Sequence, residues 1–202
     1  YRGEADGRYA RPIVTRGFDS SWDMFDQHLY PGGAMRLHVL RGELGDEAFW
    51  AGVRVYVAKH AGGVVETDDF RRCLEDASGR SLGRFFDQWF RNPGYPKLEA
   101  TFTHDKAKGE GWLKVEQKQV DAEKGIGLFE FDLDVAVEMG DGEWARGTLR
   151  IKDQKSSLLL PLRKRPVSIL LDPEGRALFG LPGWNPGIDL LERALLHSPG
   201  VP

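Results

Sequence analysis

Between residues 31 and 92, apolar side chains return every third or fourth position, the period of a helix buried on one face. Ala34, Leu37, Leu40 and Leu44 form the first stripe, starting in a helical run from Met35 to Leu44. Gly45 stops it, and Asp46 is placed to cap the next helix. There Phe49, Val53, Tyr56 and Val57 predict the buried face, and Gly62-Gly63 breaks the chain. Thr67 is a favoured N-cap for a third helix, with Phe70, Cys73, Leu74 and Ala77 inward and Ser78-Gly79 at its end. Ser81 opens a fourth, whose inward face is Leu82, Phe85, Phe86, Trp89 and Phe90. Asn92-Pro93-Gly94-Tyr95-Pro96 is then a hard stop and a domain boundary.

From Leu98 the period drops to that of a half-buried strand. The alternating sets are Leu98, Ala100 and Phe102; Leu113 and Val115; Phe129 to Val137; Leu149 and Ile151; Leu158, Leu160 and Leu162; and Val167, Ile169 and Leu171. Turn clusters at 108–111, 140–142 and 172–175 separate them. Short alternating strands at this spacing predict an antiparallel sandwich. Ile188 to Leu196 returns to a helical period. The expected fold is therefore α+β in two domains. A helical part covers residues 1–95 and a β-sandwich residues 96–180, and residues 181–202 begin a further helical domain.

Charge and cysteine count narrow the function classes. A net charge of −3 gives no basic surplus for nucleic acid. No apolar run approaches the roughly 20 residues that span a bilayer, so no membrane partner is expected. The lone cysteine, Cys73, cannot form an internal disulfide and fits a reducing, cytoplasmic compartment. Both ends read as cut, because the chain opens at Tyr1 and its last amphipathic helix stops almost at once.

The candidate chemistry centres on Tyr30, in Leu29-Tyr30-Pro31-Gly32-Gly33-Ala34. A tyrosine at the mouth of a helix can aim its hydroxyl out of the packed layer and donate to a developing oxyanion. Other chemistry is missing from the sequence: there is no phosphate loop, no dinucleotide fingerprint and no nucleophile elbow. His28, His38, His60, His104 and His197 include no pair three or four residues apart, so no helix offers a two-histidine metal face. Asp68-Asp69 reads as first-turn acid favouring the helix dipole. Cys73 reads as a buried structural thiol, and His28 and His38 as structural or surface residues.

Several blocks in one order resemble the M1 family of zinc aminopeptidases, the aminopeptidase N type. They are Arg11-Pro12-Ile13, Tyr30-Pro31-Gly32-Gly33-Ala34, Gly42-Glu43-Leu44-Gly45, Lys59-His60, Thr67-Asp68-Asp69-Phe70, Glu75-Asp76-Ala77-Ser78-Gly79 and Phe86-Asp87-Gln88-Trp89. The resemblance implies a thermolysin-like catalytic domain represented here by its C-terminal helical part. It also implies that a β-sandwich and then a helical domain follow. It gives Tyr30 the task of helping the metal stabilise the oxyanion during peptide hydrolysis. Gly32 departs from the Lys or Arg that the family usually carries two residues after the tyrosine. The His-Glu-x-x-His motif, the downstream zinc-binding glutamate and the Gly-x-Met-Glu-Asn segment are all absent from these residues. The family places them ahead of the tyrosine segment.

The leading expectation is thus a fragment of a zinc aminopeptidase that removes N-terminal amino acids from peptides. Zinc belongs to the parent protein, no metal is expected in this chain, and the isolated chain is expected to be inactive. Its partners are the peptide substrate and the missing N-terminal part of the catalytic domain. The alternative is a non-catalytic scaffold or interaction module. A sugar-binding sandwich that uses Trp112 and Trp144 has less support.

Overall fold

Pro31 fixes helical φ at the start of the first long helix, and that helix, α2 (Tyr30–Leu44), begins at Tyr30 itself. The computed structural model describes residues 1–140 and 142–185. They form two units, Tyr1–Gly94 with Asp121–Ile126, and Tyr95–Val120 with the chain from Gly127 on.

In the first unit a short α1 (Arg2–Gly7) and a 3-10 turn (Ser21–Met24) precede α2, α3 (Asp46–His60), α4 (Thr67–Ser78) and α5 (Gly83–Phe86). α5 runs on as a π-helical turn, Asp87–Arg91. Gly45, at φ 79, separates α2 from α3, and Gly79, at φ 67, ends α4 in the left-handed region that glycine reaches without steric cost. The α4 cap is reciprocal. Glu66 precedes the helix, its side chain accepts from the Asp69 amide, and the Asp69 carboxylate accepts from Glu66 N at 2.9 Å. Thr67 is therefore the first helical residue and not the cap.

Two buried faces differ from the expected stripes. α2 buries Gly32, Arg36, Val39 and Leu40, while Ala34 is exposed. The stripe is rotated because a charged residue, Arg36, occupies an inward position. α3 buries Phe49 and Gly52, and Val57 lies 59% exposed. The reason is Gly52, where α4 comes so close that a Cβ would meet Leu74 Cα at 2.9 Å. Cys73, Leu74, Leu82, Phe86, Trp89 and Phe90 complete this core, with Phe86 and Phe90 stacked at 4.6 Å.

The second unit holds β1 (Lys97–Asp105), β2 (Glu110–Gln117), β3 (Phe131–Met139), β4 (Trp144–Ile151), β5 (Lys155–Pro161), β6 (Pro166–Leu171) and β7 (Gly180–Asn185). One sheet has the order β5-β2-β1-β7 and the other β4-β3-β6. All pairs are antiparallel except β1 with β7, which is parallel with a register shift between Lys97 and Glu99. Period-two burial gives each sheet one apolar face. Leu98, Ala100, Phe102, Leu113 and Val115 line one, and Phe131, Leu133, Val135, Val137, Leu149 and Ile151 the other. β4 packs over β5 so tightly that a Cβ on Gly147 would meet Leu160 Cδ2 at 2.8 Å. Two buried amides finish the core: Gln117 donates to Phe129 O and Asp153 O, and Gln119 accepts from Lys97 N. β7 was not among the expected strands, because Gly-Leu-Pro-Gly-Trp-Asn carries no alternation. A proline-containing segment of this kind is tolerated at a sheet edge. The helix expected over Ile188–Leu196 lies outside the described residues. Among the described residues, no helix is long and apolar enough to cross a membrane.

Candidate active site

Tyr30 stands at the head of α2 with its side chain outward, 60% exposed. Its ring lies 5.9 Å from Phe25, which in turn lies 5.3 Å from Trp22. Both neighbours are themselves well exposed, so the hydroxyl is open to solvent.

What holds Tyr30 is the turn below it. Tyr30 N donates to Asp26 O, Gly32 N to Gln27 O and Gly33 N to Leu29 O. Asp26 organises this turn. Its Oδ1 accepts from His28 N at 3.0 Å and Leu29 N at 2.9 Å, the amides of the two residues just ahead of α2. The same carboxylate is gripped by Arg11, Nε to Oδ2 at 2.8 Å and Nη2 to Oδ1 at 2.7 Å, and accepts from Tyr9 Oη at 2.8 Å. Burial alone would push the Asp26 carboxyl up. The bonds from Arg11, Leu29 N and Tyr9 outweigh it and bring the pKa down to about 2. Tyr9 moves the other way, raised first by its bond to the Asp26 carboxylate and then by burial.

Beside this anchor lies His28, fully buried. Its ring stacks on Tyr9 at 4.9 Å and meets Tyr1 edge-on at 5.3 Å. Nδ1 faces Glu4 Oε2 at 3.2 Å and Asp26 Oδ2 at 3.4 Å, so the Nδ1–H tautomer is assigned from its partners. Nε2 is buried and has no hydrogen-bond partner. Burial depresses the histidine pKa, and the Asp26 and Glu4 carboxylates oppose it only in part. His28 thus packs as part of the anchor.

Glu4, Asp26 and His28 are close enough together to suggest a metal site. Their oxygens argue otherwise. Both Asp26 oxygens already accept from Arg11, with Tyr9 and two amides added, and Glu4 Oε2 accepts from Gln27 N at 2.9 Å. A divalent ion needs those lone pairs free, and it would sit against a guanidinium. This donor set serves as a hydrogen-bonded anchor.

Sequence reasoning found Tyr30 but missed Asp26, Tyr9, Glu4 and Arg36. Acidic residues in a polar stretch carry no visible periodicity, so nothing in that stretch marked Asp26. Arg36 could have been found from its spacing one turn beyond Gly32. Cys73 is buried as expected. Asp68 pairs with Arg71 at 2.9 Å and with Arg91 at 2.6 Å, a surface network. On the second unit, Trp144 is exposed under Arg146, while the groove of about 420 Å³ on the outer sheet face is lined by Glu99, Thr101, Lys114, Glu116, Lys155 and Ser157 among others, with no aromatic residue. No aromatic platform for a sugar ring forms there.

Residues 8–89 match the Peptidase family M1 domain. The chain is 37% identical over 105 residues to Aminopeptidase N of Lactococcus lactis subsp. lactis, which covers 52% of this chain and 12% of that protein. It is 30% identical over 122 residues to the Tricorn protease-interacting factor F2 of Thermoplasma acidophilum, covering 60% of this chain and 15% of that protein. The chain thus spans a small part of the length of the curated relatives it matches. The crystal structure of Legionella pneumophila aminopeptidase A in complex with aspartic acid superposes with a TM-score of 0.69 at 18% identity, over 85% of this chain and 20% of that one. That likeness is one of fold.

Proposed function

We propose, from the match of residues 8–89 to the Peptidase family M1 domain, that this chain is part of a zinc-dependent aminopeptidase in which Tyr30 donates a hydrogen bond to the oxyanion of the tetrahedral intermediate. The observation that carries the proposal is the placement of Tyr30. Its side chain is exposed at a helix head whose turn is tied down by a half-buried, ionised aspartate. A donor held in advance costs no reorganisation when charge develops. Residues 1–95 then form the C-terminal helical part of a catalytic domain, and the sandwich that follows it runs from residue 96 through β7, which ends at Asn185. The substrate is a peptide whose N-terminal residue is released, and the compartment is the cytoplasm, in keeping with a single buried thiol.

M1 aminopeptidases are in general zinc metallopeptidases, and zinc polarises the scissile carbonyl and supplies the attacking water. Among the described residues the one cluster of possible ligands does not fit the ion, so in this reading the zinc ligands lie outside them. On this reading the isolated chain is expected to be inactive. Metal analysis of the purified chain tests this: stoichiometric zinc with aminopeptidase turnover would refute it. The role of Tyr30 is tested by Tyr30→Phe in the full-length protein. Loss of one oxyanion donor is expected to lower kcat by about 10²–10³-fold, with zinc content and thermal stability unchanged. An unaltered kcat would retire the role, whereas a full-length parent protein without aminopeptidase turnover would favour a non-catalytic module.

A further inference from the structure

We propose that Arg36 is a positioning residue for Tyr30, a clamp that fixes the first turn of α2 from below. The inference rests on the proposed role of Tyr30.

Arg36 is fully buried, an uncommon state for an arginine and one that needs a complete set of acceptors. Its guanidinium finds them almost entirely in main-chain carbonyls. Nη1 donates to Gly32 O at 3.1 Å, inside the turn that carries Tyr30. Nε donates to Trp89 O, and Nη2 donates to Gly94 O at 2.8 Å. Trp89 O belongs to the last turn of the π-helical segment, where carbonyls lack intrahelical partners and carry the negative end of the dipole. Nη2 also donates to Tyr1 Oη at 2.8 Å, and the cation lies 4.6 Å from the centre of the Tyr1 ring. Tyr1 Oη in turn donates to Gly94 O at 3.0 Å, which closes the network. One planar fork thus joins the head of α2 to the end of the last helix and to the turn after it.

Gly32 is the counterpart of this clamp. A Cβ there would lie 3.0 Å from Tyr1 Cδ2, 3.1 Å from Gln27 O and 3.3 Å from Arg36 Nη1. The guanidinium and the Tyr1 ring fill the space that a side chain at 32 would take. Gly32 and Arg36 act as one unit, a missing side chain and the group that packs in its place. With Asp26 holding the turn from its N-terminal side, Tyr30 is fixed on both sides. A shift of about 1 Å in a positioned group can cost about 10²-fold in rate, so the clamp bears on kcat.

The test is a double-mutant cycle in the full-length protein, with Tyr30→Phe, Arg36→Lys and the pair. A lysine keeps the charge but cannot reach the carbonyls of Gly32, Trp89 and Gly94 together. Arg36→Lys is expected to lower kcat at least about tenfold with KM little changed, and to have no further effect once Tyr30 is phenylalanine. Equal losses in both backgrounds would show that Arg36 acts apart from Tyr30 and would overturn the clamp, as would an unchanged kcat for Arg36→Lys. If Tyr30→Phe itself left kcat unchanged, the reading of the tyrosine would fail and the clamp with it. Should Arg36→Lys not fold, Gly32→Ala serves in its place. It leaves the arginine present but crowds Nη1, and the same non-additivity is expected.

Discussion

Gly52→Ala sets two effects of opposite sign against each other. Alanine is favoured over glycine within a helix by about 1 kcal/mol, so on propensity alone the substitution in α3 should stabilise. Packing says the reverse. The new Cβ would lie 2.6 Å from Leu74 Cδ2, 2.9 Å from Leu74 Cα and 3.2 Å from Leu74 Cγ. A rotamer change could relieve the clash with the methyl group, but Leu74 is fully buried and has little space to turn into. The clash with the Leu74 main chain cannot be relieved that way, so α3 and α4 must separate. Overpacking of this kind costs about 1–3 kcal/mol, occasionally more. With main chain on one side of the clash we take the upper half, which leaves a net loss of about 1–2 kcal/mol after the propensity gain. At about 2–4 °C per kcal/mol for a chain of this size, Tm should fall by several degrees. Chemical denaturation monitored by far-ultraviolet dichroism should show a lower midpoint with an unchanged slope. Gly33→Ala is the control, since nothing lies within 4 Å of its Cβ, and it should be neutral or slightly stabilising. A Gly52→Ala protein as stable as the parent would refute the packing argument.

Acid should loosen the turn beneath Tyr30. The folded pKa of Asp26, about 2, lies below its unfolded value of 3.8. Its contribution is therefore whole above the unfolded value and is lost as pH falls toward 2. At about 1.36 kcal/mol per unit this amounts to roughly 2 kcal/mol, and Asp26→Asn should flatten the acid limb of the stability curve. Parallel curves for parent and variant would refute the anchor. His28, held below its ordinary 6.5 by burial, is also depressed in the fold, so its contribution is whole above 6.5 and declines as pH drops beneath it. His28→Gln should remove that decline in a pH series of melting temperatures. Asp172 takes a positive φ of 54, and its carboxylate accepts from Arg176 N at 2.7 Å and Ala177 N at 2.9 Å. Asp172→Ala loses both bonds and keeps the strained backbone, so a loss of about 1–3 kcal/mol is expected, with Asp172→Asn milder. Unfolding at the parental midpoint would contradict it.

The parts of this fold that sequence reveals are those in which apolar side chains do the burying. The four helices after Tyr30 and six of the strands repeat with the period of their own geometry, so counting Leu, Phe, Val and Ile was enough to find them. The rotated face of α2 escaped that count because a cation is buried there. Its cost is met by carbonyls that are distant in sequence and have no residue code. Gly52 escaped because closeness between helices is recorded as the absence of a side chain. β7 escaped because Gly-Leu-Pro-Gly-Trp-Asn has no apolar alternation to mark it, although its main chain pairs with β1. At the site, Tyr30 could be identified by its flanking residues. Asp26 and its pairing with Arg11 could not, since the two lie 15 residues apart in a stretch without period and meet only once folded.

The pairing of β7 with β1 joins the first and last strands described in the second unit, Lys97 with Gly180. A ribosome making this protein must therefore pass residue 185 before that sheet can be completed, and until then the amides and carbonyls along one side of β1 have no neighbour to satisfy them. Bare strand margins of this sort recruit other chains, and contacts across so long a loop form late. The interval before β7 arrives is when the nascent sandwich is most exposed to misassociation.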